Sequence, residues 1–535
     1  MESPSPPDAP SSPPEPTTPI HPIIRNALRI SLSTDEYKSL HQRLPASVKG
    51  HALSPSRFRA SVPAEDQFNE ATIRASLRVF LGSATAFKLI EFITGKIAAR
   101  RGVVTPPKPK VSRLQSTNFR ASLSLSLILF LHRILHRFFF RLRANLRTDD
   151  ARPFRERNPR ISRALTSKYA PAVGASLAGF ALGAYPQSQL RLTVAIYMST
   201  RSLEFLYNAL EQKGWFKNRP WWFGSWLLMP VSFAQLFHAF IFDRETGPKW
   251  FGDFILKFAP AYFQERPGSF PAERHWPNQY ETVDALGRIS ELKWPAFISP
   301  ILHPSKPQAL PDVISMISPI TSPAHPSIAS LSCALLHPKS PSCLTAFIHQ
   351  NLLSIPILAR FLTKLYLAFA ILKFKSFLSH PIVETNTLCR KILSMTAVLS
   401  ASLGSAWGSI CLFNSYLPRS ILPTQRFYLS GALAGLPFMF LARGANRGAS
   451  LYFLRMAIDS AWKTGEKHRL WRLWKGGDLC VIVASWALIG ALLDNRPDAV
   501  DAKGFRKMLM WVRGDGYIDP AESGTKKKGK KATNA

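Results

Sequence analysis

Apolar residues along this chain gather into long windows separated by charged and proline-rich stretches. The clearest windows cover 227–242, 388–413, 427–441 and 479–493, and weaker ones cover 73–97, 119–140, 169–185, 190–210 and 353–377. A helix needs about 20 largely apolar residues to cross the hydrocarbon core of a bilayer. The number of windows, and the concentration of charge between them, favour membrane insertion over the buried helices of a large soluble bundle. The expected fold is all-α: a multi-pass membrane helical bundle of about eight to ten membrane segments.

Not every window has to span. The 119–140 window runs into His132, Arg133, His136, Arg137 and Arg141, interleaved with Ile134, Leu135 and Phe138 to Phe140. Basic residues beside bulky apolar ones at helical spacing suit an in-plane interfacial helix as well as a span. The flanks 100–113 and 141–168 are both strongly basic, and a spanning helix between them would set them on opposite sides, against the positive-inside rule. An interfacial or re-entrant segment would remove that conflict, so the topology stays open.

Two stretches read alike. In 197–258 and 451–512, an acid in an apolar helix (Glu204, Asp459) is followed three residues later by an aromatic (Tyr207, Trp462). A basic, Trp-rich connector, an apolar span and a terminal Asp (Asp243, Asp494) come next in both. Upstream, 174–179 resembles 430–435. Such duplication predicts two similar halves, 70–260 and 333–515, with functional sites near their interface. The segment 261–332, rich in Pro and Ser, reads as the linker. Residues 1–69, with proline dense near the start, cannot bury enough surface to offset chain entropy and are expected to be mostly disordered. They fit neither a secretory signal nor a mitochondrial presequence. The end, 516–535, carries Lys526, Lys527, Lys528, Lys530 and Lys531: a solvated tail, or one drawn to anionic headgroups.

Composition narrows the partners. Of 535 residues, 68 are Lys or Arg and 33 Asp or Glu, a formal charge of +35. Charged residues make up 19%, below the roughly 25% of ordinary soluble domains. Five Cys are too few for a disulfide scaffold. The basic balance suggests nucleic acid or an anionic membrane surface. The apolar windows select the lipid bilayer and its anionic headgroups, with no nucleic acid. Trp215, Trp221, Trp222, Trp226, Trp471 and Trp474 stand beside Lys and Arg at the ends of apolar spans, where amphipathic rings and snorkelling cations anchor in the headgroup layer.

Few residues suggest chemistry. Arg201 and Glu204 sit three apart, Arg455 and Asp459 four apart, spacings at which side chains on a helix pair. Charge inside a bilayer is costly, so these four suggest a polar site or path between the halves, or else structural ion pairs. Lys88 and Glu91 raise the same question. Small residues at helical spacing (Ala175, Gly179, Gly183; Ser400, Gly404, Gly408; Gly431, Gly435) allow close helix packing. Cys333, His337 and Cys343 carry zinc-ligand chemistry but lack paired C-x-x-C spacing. The element is read as an ordered turn leading into the membrane, with a metal or redox site as the weaker alternative; no cofactor is expected. No nucleotide, hydrolase or metalloprotease motif occurs in a credible setting, so no enzyme is expected.

The Cys-x3-His-Pro-x4-Cys element followed by 344–372 resembles the transmembrane protein 135 family. So do Gly431-Ala-Leu-Ala-Gly435, the series Arg443, Arg447, Leu451, Tyr452 and Arg455, and the Arg201-x2-Glu204-x2-Tyr207 helix. The likeness covers most of 73–512 in patches and is to a fungal-type member. There is also a distant likeness to Tim17-type translocase and small peroxisomal membrane proteins. The resemblance implies a multi-pass protein of peroxisomal or mitochondrial membranes, linked to lipid handling and organelle dynamics, with no catalytic residues to transfer. The expected function is a non-enzymatic role in lipid homeostasis and organelle dynamics, with passage of a lipid or metabolite between the halves. The alternative is a structural, tethering or translocase-like subunit acting through membrane protein partners or as a homo-oligomer.

Overall fold

Helices account for all the regular secondary structure among the residues that the computed structural model describes, which are 22–49, 52, 54–60, 67–100, 112, 115–305, 311–372, 374–441, 447–472 and 474–521. Four short helices come first: α1 (Pro22–Ser31), α2 (Thr34–Arg43), α3 (Ala46–Lys49) and α4 (Pro55–Ala60). The long helices α5 (Gln67–Arg100) and α6 (Thr117–Asn145) follow, then α7 (Arg152–Arg157), α8 (Pro159–Thr166), α9 (Ala170–Ser176) and α10 (Ser188–Gln212). The middle holds α11 (Leu228–Phe242), α12 (Lys249–Lys257), α13 (Gln279–Glu291), α14 (Asp312–Ser315), α15 (Ser318–Thr321) and α16 (Leu331–Leu336). Last come α17 (Cys343–Ile371), α18 (Phe374–Ser379), α19 (Pro381–Tyr416), α20 (Arg426–Gly435), α21 (Arg447–Lys467), α22 (Gly477–Asn495) and α23 (Lys503–Arg513).

Among the described residues, five stretches are long and apolar enough to cross a membrane: Thr117–Asn145, Ser225–Phe242, Cys343–Ile371, Pro381–Tyr416 and Gly477–Asn495. Only 17% of the apolar stretch of α17 and 22% of that of α6 is buried by protein. Leu365, Phe369 and Ile371 are among the exposed side chains. Unburied apolar surface on this scale needs hydrocarbon around it. The chain is therefore a multi-pass, all-α membrane helical bundle, with five helices among the described residues suited to a full crossing. The other apolar windows differ from these for local reasons. The 73–97 window lies in α5, interrupted by Arg74, Arg78, Lys88, Glu91 and Lys96. The 169–185 and 427–441 windows break after α9 and α20 into 3-10 turns, Leu177–Ala184 and Leu436–Phe440. The 190–210 window contains Arg191, Arg201 and Glu204.

The chain forms two compact units. Unit 1 comprises 1–191, 201–213 and 478–535, and unit 2 comprises 192–200 and 214–477. Each draws residues from both of the expected halves, 70–260 and 333–515. In unit 2, α11 packs on α20 and α21. In unit 1, α22 lies against the 3-10 segment after α9, where a Cβ on Gly179 would meet Val483 at 3.1 Å.

In unit 1, α6 packs on α5, α9 and α23. Two of the basic residues that suggested an interfacial helix bond to protein: His132 donates to the Ala175 carbonyl at 3.2 Å, and Arg133 donates to the Trp511 carbonyl at 2.7 Å. The expected disorder of 1–69 does not hold for its described part. Ser33 and Glu36 form a capping box on α2. Tyr37 stacks on Phe58 with ring centroids 4.3 Å apart, and Arg78 of α5 clamps Glu36 at 2.6 and 2.8 Å. The guanidinium, together with the backbone amide of Ser33, holds the Glu36 carboxyl down at about 2. These specific pairs supply the stabilisation that a composition argument overlooks. Residues 1–21 and the Lys526–Lys531 tail lie outside the described residues.

In unit 2, α11, α12, α17, α19 and α20 surround the main core, which includes Phe237, Trp407 and Phe427. The proline-rich segment expected to be a linker is part of that core. Its helix α13 starts at an Asn278–Glu281 capping box and buries Val283, Ala285, Leu286 and Ile289. Trp294 adopts a φ of +57°, held by a fully buried indole that donates to the Pro423 carbonyl at 3.0 Å.

Candidate functional site

The two predicted polar pairs fall in different units. In unit 1, Arg201 bonds Glu204 at 2.6 Å, one helical turn away on α10, with the Glu204 side chain only 6% exposed. In unit 2, Lys463 binds Asp459 at 2.7 Å, while Arg455 donates to the Thr200 hydroxyl at 2.8 Å and covers the Tyr197 ring at 4.6 Å. Sequence reading named Asp243 and Asp494 only as repeat markers, yet each is a cation receptor. Lys467 and His468 converge on buried Asp243 at 2.6 and 3.0 Å, and Arg513 binds Asp494. Burial alone would raise the Asp243 carboxyl, but the hydrogen bonds from Lys467 and His468 outweigh it and hold the group below its ordinary value.

The small residues lie at helix crossings. A Cβ on Gly431 would strike the Phe233 carbonyl of α11, and one on Gly435 would strike the Pro230 backbone. Ser400 bonds Ser354 at 2.7 Å, Gly404 faces Asn351, and Gly408 faces Phe347, so one stripe of α19 rides along α17. Gly183 faces Leu479, and Ala175 is completely buried.

Two neighbouring cavities in unit 2 have opposite character. The first, about 260 Å³, lies among α11, α12, α17, α19, α20 and α21. Phe233, Phe254, Leu365, Leu399 and Phe453 are typical of its walls. Ser402 contributes no free hydroxyl, because it donates to the Ala434 carbonyl at 2.6 Å. The second, about 490 Å³, is lined by Arg244, Glu245, Lys249, Asp253 and Tyr280 among others. Its acids are engaged: Lys467 binds Glu245 at 2.5 Å, and Tyr280 donates to Asp253. Phe251 lines both cavities. Neither was visible in the sequence, since each is assembled from distant helices.

The cysteine element folds back on itself and gains a fourth member. Donor atoms of Cys333, His337, Cys343 and Cys411 all lie within 4.8 Å of one another. The Cys333 and Cys343 sulfurs are 3.8 Å apart, and His337 Nε2 is 3.4 Å from the Cys411 sulfur. Sequence reading missed Cys411, a lone cysteine inside an apolar window. Tyr262 is fully buried nearby, with no hydrogen-bond partner for its hydroxyl among the described residues. Burial, and then the nearness of the ionisable sulfurs of Cys411, Cys343 and Cys333, hold its phenol well above the ordinary tyrosine value.

No family model, no curated protein and no solved structure matches this chain.

Proposed function

We propose that this membrane protein binds an amphiphilic lipid in unit 2 and serves, without catalysis, in lipid homeostasis and dynamics of peroxisomal or mitochondrial membranes. The observation that carries the reading is Phe251, a shared wall between an apolar cavity and a polar cleft bearing Arg244 and Lys249. An acyl chain gains by leaving water for the first, at about 0.8 kcal/mol per buried CH2. An anionic headgroup gains from Lys249 and from Arg244, which also pairs with Asp284 at 2.6 Å. The apolar cavity is slightly below the usual ligand range of about 300–1,000 Å³, which suits a section of one acyl chain rather than a whole lipid. The organelle setting is supported by the sequence resemblance described above.

Photo-crosslinking tests this. A diazirine fatty acid fed to expressing cells is expected to label peptides of α12, α17 and α19 around the cavity. Filling the cavity with Leu399→Trp and Ala449→Phe removes that labelling. Labelling spread evenly over all the apolar helices, and unchanged in the filled variant, contradicts lipid binding here. A tagged protein that coincides with neither peroxisomal nor mitochondrial markers contradicts the organelle assignment.

A further inference from the structure

We propose that Cys333, His337, Cys343 and Cys411 bind one zinc ion in a closed, structural, tetrahedral site. The inference is independent of lipid binding. Each residue offers one donor atom, giving three sulfurs and one nitrogen. Zinc bonds of about 2.3 Å to sulfur and 2.0–2.1 Å to nitrogen make a tetrahedron with S···S edges near 3.8 Å and S···N edges near 3.6 Å. The Cys333 and Cys343 sulfurs are 3.8 Å apart, and His337 Nε2 is 3.4 Å from the Cys411 sulfur. Those two edges match a zinc tetrahedron, and all four donors lie within 4.8 Å of one another.

The surroundings favour the same ligand. The His337 Nδ1–H donates to the Ser340 carbonyl at 2.9 Å, which leaves the Nε2 lone pair directed at the cluster. That carbonyl partner is the usual orienting device for a metal-bound imidazole. Cys343 is the first residue of α17, where the helix dipole favours an anionic ligand. Cys333, His337 and Cys411 are buried, so water is excluded from most of the site. The orphaned Tyr262 hydroxyl gains a role as a donor toward metal-bound thiolates, which carry more negative charge than thiols. Three thiolates and an imidazole form a borderline-soft set that selects zinc over magnesium, calcium or manganese.

Binding exchanges three S–H bonds for three Zn–S bonds and adds one Zn–N bond. The thiol protons leave to water and no electron moves. The ion would tie α16 and the start of α17 to the far end of α19, closing a chain segment from Cys333 to Cys411.

Elemental analysis and zinc-edge X-ray absorption of the full-length detergent-purified protein test the proposal. The expected result is about one zinc per chain with a three-sulfur, one-nitrogen shell. Zinc content falls by about tenfold or more in Cys411→Ser and His337→Ala, and holds in Cys389→Ser and Cys480→Ser. The absorption spectrum needs no variant, so a ligand substitution that fails to fold does not spoil the test. Zinc absent from protein made in zinc-replete cells, an oxygen-rich shell, iron at equal stoichiometry, or a Cys333–Cys343 disulfide found by peptide mapping overturns it.

Discussion

The backbone at Gly431 sits so close to the carbonyl of Phe233 that a Cβ there would strike it. Gly431 lies in α20 and Phe233 in α11, so this contact joins helices far apart in the sequence within unit 2. Membrane helices lack a hydrophobic drive toward one another, and such close approach is one source of their association. Gly431→Val is therefore expected to cost about 1–3 kcal/mol or more, since neither backbone can yield cheaply. Gly82 in α5 has no atom within 4 Å of its Cβ position, and Gly82→Ala should stabilise by roughly 0.5–1 kcal/mol. Reversible unfolding in mixed detergent micelles measures both.

Asp243 gives a pH prediction. Its folded pKa lies below the ordinary 3.8, so its contribution to stability is present above that value and is lost as pH falls through the lower folded one. Wild-type protein should lose stability progressively below about pH 4. Asp243→Asn should be less stable at neutral pH and should flatten that part of the profile. Thermal melts between acidic and neutral pH decide the matter.

The described helices at 22–60 are anchored by specific pairs, and the Ser33 capping box is the most local of them. Ser33→Ala removes the capping box and should cost about 1 kcal/mol in that region alone. Hydrogen exchange should rise in α1 to α4 while protection in α6 and α19 stays constant. A uniform rise over the whole chain would contradict this local anchoring.

What the sequence reveals depends on range. The 119–140 and 479–493 windows became α6 and α22 because a long apolar run in helical register has few other outcomes in lipid. The Arg201–Glu204 pair was readable because three residues apart means one helical face. Residues 279–291 were misjudged for the opposite reason. Proline-rich surroundings outweighed a local capping signal, Asn278-x-x-Glu281, that was present all along. Cys411 and the shared Phe251 wall could not be read at all. Both depend on which helices meet, and periodicity within one helix says nothing about its neighbours.

Lipid binding in unit 2 requires an acyl chain in the cavity among the apolar helices. Native mass spectrometry of the protein released from gently extracted membranes measures that directly. The predicted result is a lipid adduct of about one per chain that survives detergent removal. It should disappear in the Leu399→Trp, Ala449→Phe protein. A bare protein mass for the wild-type chain, or an adduct equally abundant in the filled variant, would contradict the account.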